Sequence, residues 1–486
     1  MSRNDDDYAL GLVIDSCSCN LSTVMRTRMT PFFLTPAAIA IMLNIGACTT
    51  MLDFAECEVD AHCLDPGHLC IAQICTAAED AAIDVTDNIT EDTVWTSEQT
   101  YRLKQTIYVE PGATLTIRSG TRILGEEGSA LIVQSGAQLR SRGTETAPVV
   151  FTSARPVGER SSGDWGGVAL LGSAPINAPG SVLEGVGDAS RAMFGGNDPT
   201  HSCGVIEYTR IEFAGFPLEQ DNELNGLTLG GCGTGTLVDH VQVHFGLDDG
   251  VELFGGTVDL RHVVITRAQD DSMDWDMGWS GSAQFIAIQQ DLEGDNGFEA
   301  SSGEPGATPV ATPELWNVTL LGSGGQGSQR AMTLKDGTGG SLNNVLITGH
   351  PIEAIDVKDP ETVARLTDGE LTLEGALMFA VGAGGEHWFP LPDEELDVDA
   401  DDDEGFDEDA YFRGLPGLTL GVNPSLTSPF NLSNPGWVPQ GNAVRDAGID
   451  PPTAVFDGFD EQAHYAGAFA PGTEPWTAGW TSYPED

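Results

Sequence analysis

Apolar side chains recur along this chain in short segments of constant design. Val238-Asp-His-Val-Gln-Val243, Leu260-Arg-His-Val-Val-Ile265, Leu315-Trp-Asn-Val-Thr-Leu320 and Leu342-Asn-Asn-Val-Leu-Ile347 share one template. It is apolar at its first, fourth and sixth positions and carries His or Asn at its third. The last two apolar positions alternate as the inward face of a strand requires. A second apolar pattern follows each after a turn, in Val251-Glu-Leu253, Met273-Asp-Trp275, Phe298-Glu-Ala300, Met332-Thr-Leu334 and Ile355-Asp-Val357. Upstream, Pro111-Gly-Ala-Thr-Leu-Thr-Ile-Arg-Ser-Gly-Thr121 and Ser135-Gly-Ala-Gln-Leu-Arg-Ser-Arg-Gly-Thr144 open on Gly-Ala and close on Gly-Thr. Such units recur every 22 to 27 residues or so, too short for a propeller blade or a βα unit. Two short strands per unit predict an all-β solenoid, a right-handed parallel β-helix whose stacked rungs bury one shared core. A leucine-rich repeat would show a Leu/Asn signature that is absent. A β-sandwich would not stack equivalent residues at constant spacing.

Composition agrees: 60 Gly and 40% hydrophobic residues suit many short strands joined by tight turns. Charge adds more, with 74 Asp+Glu against 21 Lys+Arg and a formal net charge of -53. Lys occurs only at Lys104, Lys335 and Lys358. Without a basic face to neutralise phosphates, nucleic acid is excluded as a partner. Such acidity fits cation binding, a salty habitat or simple solubility.

The N-terminal region reads as an export signal. Pro31 to Ile45 is rich in apolar residues and follows Arg26 and Arg28, but it is too short to span a bilayer and matches a signal-peptide core. It ends in Ile45-Gly46-Ala47-Cys48, which resembles a bacterial lipobox and implies lipidation of Cys48 after cleavage. Met1 to Val24 is polar and acidic, unlike the basic start of a signal, so translation is expected to begin at Met25 or Met29. Thr49 after the lipid-bearing position implies sorting to the outer membrane. Leaving aside Cys17, Cys19 and Cys48, the remaining cysteines are even in number: Cys57, Cys63, Cys70, Cys75, Cys203 and Cys232. After export, disulfides are expected; the first four could pair in three ways, and the last two lie together in the body. The expected organisation is 1–24 outside the true start, 25–47 signal peptide, 48–80 Cys-rich tether, 81–374 β-helix, and 375–486 an acidic loop region with a C-terminal cap.

Gly163-Asp-Trp-Gly-Gly-Val-Ala-Leu-Leu-Gly172 with Ala174-Pro175, Ile211-Glu-Phe-Ala-Gly215 and Asp248-Asp-Gly-Val-Glu-Leu-Phe-Gly-Gly256 carry a resemblance, as do Gly467-Ala-Phe469 and Trp476-Thr-Ala-Gly-Trp-Thr481. They resemble a family of predicted β-helix surface lipoproteins of Gram-negative bacteria, over roughly Thr100 to Tyr483. The resemblance implies fold and anchoring; no established enzymatic activity comes with it, so it leaves the chemistry open.

Aligning the rungs stacks acids in columns. One is Asp248, Asp270 and Asp295; beside it stand Asp249, Asp271 and Asn296; a third is Glu252, Asp274 and Glu299. Strands stack ~4.8 Å apart, where like charges repel by ~1 kcal/mol in water and ~3 kcal/mol at an effective dielectric of ~20. Either the acids splay into solvent as turn residues, or they share protons, or Ca2+ bridges them. Asp248, Asp249, Asp270, Asp271, Asp274, Asp295 and Glu299 are thus the candidate metal ligands. A second candidate set is Asp397, Asp399, Asp401, Asp403 and Glu408, spaced as in an EF-hand loop except that Asp402 replaces its Gly.

Asp270 and Asp271, following Gln269, are similar to the paired-Asp segment of polygalacturonase-like hydrolases, but the Gly-His-Gly and Arg-Ile-Lys elements of that family are absent. Pectate-lyase-like enzymes pair calcium with a basic residue that abstracts a proton. Arg267, Arg330, Lys335 and Lys358 are available, with Arg267 nearest in sequence to the paired acids. His240 and His262 align with Asn317 and Asn344 as a polar ladder. Trp275, Trp279, Trp316, Trp476 and Trp480 offer either core packing or a sugar-stacking surface. The expected function is a lipid-tethered, outer-membrane binding or adhesive module facing a polysaccharide or surface protein, with structural calcium. The alternative is a calcium-dependent polysaccharide lyase or glycoside hydrolase.

Overall fold

The computed structural model describes residues 68–71, 74–77, 82–186, 188–217, 224–390 and 403–486. All belong to the compact unit Phe54–Asp486. Cys48, Cys57, Cys63, Asp397, Asp399 and Asp401 lie outside the described residues. Ahead of the body, an antiparallel hairpin of His68–Ile71 and Ile74–Ala77 sets Cys70 opposite Cys75.

Two parallel sheets run the length of the body, one of 16 strands and one of nine. The larger contains the template segments, in strands Leu237–His244, Asp259–Thr266, Glu314–Leu321 and Gly340–Thr348. The smaller contains the second pattern, including Val251–Phe254, Met273–Asp276, Asn296–Ala300, Arg330–Leu334 and Ile355–Val357. Register is exact from rung to rung: Val241 pairs with Val263, Val263 with Ile286, Ile286 with Val318, and Val318 with Val345. This is a parallel β-helix, and the apolar columns form its continuous core.

The third template position explains why the inward residues are first, fourth and sixth. His240, His262, Asn317 and Asn344 have φ between 53° and 56°, a left-handed bend that resets the alternation so that both flanking segments face inward. His and Asn adopt this conformation more readily than most residues. Tyr208 and Phe285 make the same bend, at φ 46° and 63°. Strand Ser282–Gln289 is a full template rung that Phe285 hides from the His/Asn pattern.

Parallel pairing runs past the expected boundary at residue 374: Ala376–Phe379 pairs with Gly340–Thr348, and Leu418–Leu420 pairs with Ala376–Phe379. The template extends through Ala376, Leu377 and Met378, and the acidic stretch that follows breaks the periodicity.

Two coverings dress the outer faces. A cover, residues 172–203, leaves the small sheet after Val168–Leu171 and sets Ile176, Leu183 and Phe194 on the outward Ile132, Ala169, Leu171 and Phe254. The disulfide Cys203–Cys232 closes its base, as the cysteine count predicted. A C-terminal strap, residues 421–486, packs Trp437, Phe469 and Trp480 on Val264, Ala287 and Leu321. Trp275, Trp279, Trp316 and Trp480 are buried, so these four form core and strap and offer no sugar-stacking surface. Among the described residues no helix is long and apolar enough to cross a membrane.

Candidate functional site

The aligned acids meet as the register predicts. Glu252 pairs with Asp274 and Asp274 with Glu299 on adjacent strands of the small sheet. The neighbouring column forms a ladder in which each carboxylate caps the next rung: Asp249 Oδ1 accepts from the Asp271 N–H at 3.0 Å, and Asp271 Oδ1 from the Asn296 N–H at 2.7 Å. These bonds give the Asp-Asp turns a structural use that solvent exposure alone would not. Asp270 and Asp295 stay exposed at the outer edge.

Carboxylate oxygens of Asp249, Glu252 and Asp274 lie within 4.8 Å of one another, as do those of Asp248, Asp249 and Asp270, and of Asp270, Asp271 and Asp295. The first trio lines a pocket of about 150 Å³, whose lining adds Leu183, the exposed Glu184, Leu224 and Phe254. Burial, then mutual repulsion, pushes Asp249, Glu252, Asp271 and Asp274 well above the ordinary carboxylate range. The Asn225 amide donates to Glu252 and partly offsets the effect there. At 4.8 Å and an effective dielectric of 20, each charged pair costs about 3.5 kcal/mol. Three bare charges would thus cost about 10 kcal/mol, comparable to the whole net stability of a domain. The trio therefore holds protons or a cation.

The same two columns continue into rungs that are neutralised. Lys335 Nζ lies 2.8 Å from Glu299, Arg330 Nε lies 2.9 Å from Glu353 and 3.0 Å from Asp356, and Lys358 Nζ lies 2.8 Å from Asp356. Among the described residues no Lys or Arg pairs with Asp249, Glu252, Asp271 or Asp274. Beyond Asp274 and Glu299 the pocket adjoins an open groove of about 620 Å³, whose lining adds Asn177, Asp276, Ser301, Lys335 and Asp336.

A family model described as a pectate-lyase like beta helix domain matches residues 87–386. The chain belongs to that family. No curated protein and no solved structure matches it.

For a pectate-lyase-like β-helix the decisive question is a base beside the acids. Arg267, the nearest in sequence, does not line the pocket: its Nε binds Asp291 at 2.8 Å and its guanidinium lies 4.0 Å from the Phe245 ring centre. The left-handed bend at Arg267, φ 61°, turns it that way. Arg330 and Lys358 are held in the ion pairs above. Lys335 does reach the groove; burial would lower its pKa, but Glu299 and Asp274 raise it above the ordinary value, so it stays charged and is a poor proton acceptor.

The His ladder forms a separate constellation. The rings of Tyr208, His240 and His262 stack at 4.2 Å intervals, with Phe285 next at 4.9 Å. His262 Nδ1 lies 2.8 Å from Asp239, which Arg261 also binds. Burial raises the Asp239 pKa less than these bonds lower it, so it stays charged. The strap's Trp476 closes over the rings. It is a structural stack under the strap.

Asp403 accepts the Gly405 N–H at 2.7 Å, and Glu408 opens the short helix Glu408–Arg413. Of the pocket residues that the sequence did not single out, Glu184 lies in the cover, outside the repeat, whereas Asn225 stands one rung before Asp249 in the column of Asp249, Asp271 and Asn296.

Proposed function

We propose that this chain is the body of an exported, lipid-anchored outer-membrane protein whose β-helix is a rigid binding module with structural calcium, not a polysaccharide-cleaving enzyme. The observation that carries the non-catalytic reading is the state of the basic residues near the acids: each is held in an ion pair, and Asp271 is spent capping the Asn296 N–H. The groove supports binding, since the carboxylates that line it, Asp276 and Asp336 among them, suit the hydroxyls of a neutral glycan. An anionic polymer would meet repulsion there. A glycan panel tests this: retention of neutral glycans with no release of unsaturated or reducing ends is expected. Product release that Asp271→Asn abolishes in a folded protein would overturn it. Mass spectrometry of the membrane fraction tests the anchor, expecting a diacylglyceryl modification on Cys48; an unmodified peptide spanning Ala47-Cys48 in mature protein refutes it.

The second reading, a calcium-dependent lyase or hydrolase, rests on the continuity of the acid pocket with the groove through Asp274 and Glu299, with Lys335 at hand. It requires Lys335→Ala to abolish product release.

A further inference from the structure

The structural-calcium reading leaves open where an ion sits and what it does. Three carboxylates belong to two successive rungs, and a fourth, Glu184, comes from the cover. The Asp274 side chain is buried, its Oδ1 is sealed from solvent without a hydrogen-bond partner, and it lines the pocket. Such an orphaned buried oxygen is costly unless something meets it. On the rungs that follow, Glu299, Glu353 and Asp356 are each met by a Lys or Arg, whereas among the described residues none pairs with Asp249, Glu252 or Asp274. The charged groups facing it are Glu184, Asp248, Asp270, Asp271, Asp276 and Glu299, with Lys335 acting on Asp274 while paired to Glu299.

We propose that the pocket between Asp249, Glu252 and Asp274 is a divalent-cation site of calcium type, whose ion fastens the cover to the small sheet through Glu184. The donor set fits, since calcium accepts many oxygen ligands in flexible geometry, and about 150 Å³ leaves room for water beside the ion. Magnesium, which demands compact octahedral coordination, fits less well. Leu183 and Leu224 of the lining stand beside the trio, and the ion is placed between the cover and the sheet, which separates this site from one that bridges protein to substrate. The fastening follows from sign. With the pocket empty of positive charge, Glu184 is repelled by Glu252; with an ion present, the same carboxylate is attracted to it.

The proposal rests on the structural-calcium reading, and the test separates the two. The full-length protein, stripped with EGTA, is titrated with CaCl2 and MgCl2 by calorimetry, melted with and without CaCl2, and exposed to trypsin with cleavage after Arg191 in the cover followed by mass. Saturable calcium binding is expected, with magnesium weaker by roughly tenfold or more. At a hundredfold excess over Kd, calcium should shift the folded-to-unfolded ratio by about a hundredfold. Asp274→Asn and Glu252→Gln should each weaken calcium by about tenfold or more while raising the melting temperature in EGTA. Calcium should slow cleavage after Arg191 in the parent and much less in Glu184→Gln. If Asp295→Asn abolishes calcium binding while Asp274→Asn and Glu252→Gln retain it, the ion lies in the exposed outer turns; structural calcium stands and this proposal fails. No calcium binding by the parent protein overturns both. Binding lost in Asp274→Asn, with a trypsin rate indifferent to calcium, refutes the fastening.

Discussion

Asn344 concentrates two demands of the fold in one side chain, and substitution can separate them. Its backbone makes the left-handed bend, at φ 56°. Its side chain anchors the strap: Nδ2 donates to the Ile449 carbonyl at 3.0 Å and to the Ala463 carbonyl at 3.3 Å, and Oδ1 accepts the Ile449 N–H at 2.7 Å. Each bond contributes about 1 kcal/mol net. Asn344→Gly keeps the bend free of strain and loses the bonds, a cost of about 3 kcal/mol. Asn344→Ala loses the same bonds and adds about 1 kcal/mol or more for a left-handed residue with a Cβ. Calorimetric melting gives the totals, and hydrogen exchange at Ile449 and Gly467 reports the strap, because the Gly467 N–H donates to the Asn344 carbonyl at 2.7 Å. Faster exchange in both variants, with Ala the less stable, is expected. Equal stability of the two would refute the strain component, and unchanged exchange in Asn344→Gly would refute the anchoring.

Three further outcomes follow from specific contacts. His244 is fully buried, its Nε2 donating to the Pro484 carbonyl at 2.8 Å, and burial lowers its pKa from 6.5 to about 4. Its contribution is therefore present above about pH 6.5 and lost as pH falls toward 4, up to about 3 kcal/mol; melts across that range should show His244→Asn with a flatter acid limb, and an identical limb counts against the assignment. A Cβ on Gly250 would meet the Ser272 carbonyl at 2.6 Å and Ile265 at 2.3 Å, whereas one on Gly246 meets nothing nearer than 3.3 Å. Gly250→Ala should thus cost about 2–3 kcal/mol in a urea titration and Gly246→Ala much less; parity between them would contradict the packing. Replacing both Cys203 and Cys232 with Ser should lower stability by about 2–4 kcal/mol and speed trypsin cleavage of the cover, and an unaltered melt would show that the bond leaves the cover's base indifferent.

The solenoid was legible because its core is written as a period, and parallel register turns a period into columns. The acid columns were legible for the same reason. Ser282–Gln289 escaped because the His/Asn mark at the bend is one chemical solution among several: Phe285 takes the same φ and stacks on His262 instead. Arg267 looked available from its place beside Asp270, yet a left-handed bend separates them and sends its side chain to Asp291. Glu184 could not be foreseen at all. It reaches the acids from an insertion without repeat, and only the packing of Ile176, Leu183 and Phe194 on the sheet brings it there.

The distribution of cations also decides how to read the acidity. A net charge of -53 is adequately explained by solubility wherever the carboxylates are solvated. That explanation is weaker on the small sheet, where Asp249 and Asp271 are buried. The chain has few lysines, and two of them, Lys335 and Lys358, together with Arg330, stand on the columns that continue from the pocket. Buried acids on these rungs are thus matched one by one with positive charge. Asp249, Glu252 and Asp274 face the same desolvation in the same register, a rung or two away, with no such partner among the described residues. A solvated surface would not need the matching, and a purely structural turn would not leave Asp274 Oδ1 without a donor. Their counter-charge must then come from outside the described chain, as protons at low pH or as a divalent ion. Because the first rises in favour with acidity and the second with calcium, melting in EGTA and in CaCl2 at two pH values separates them.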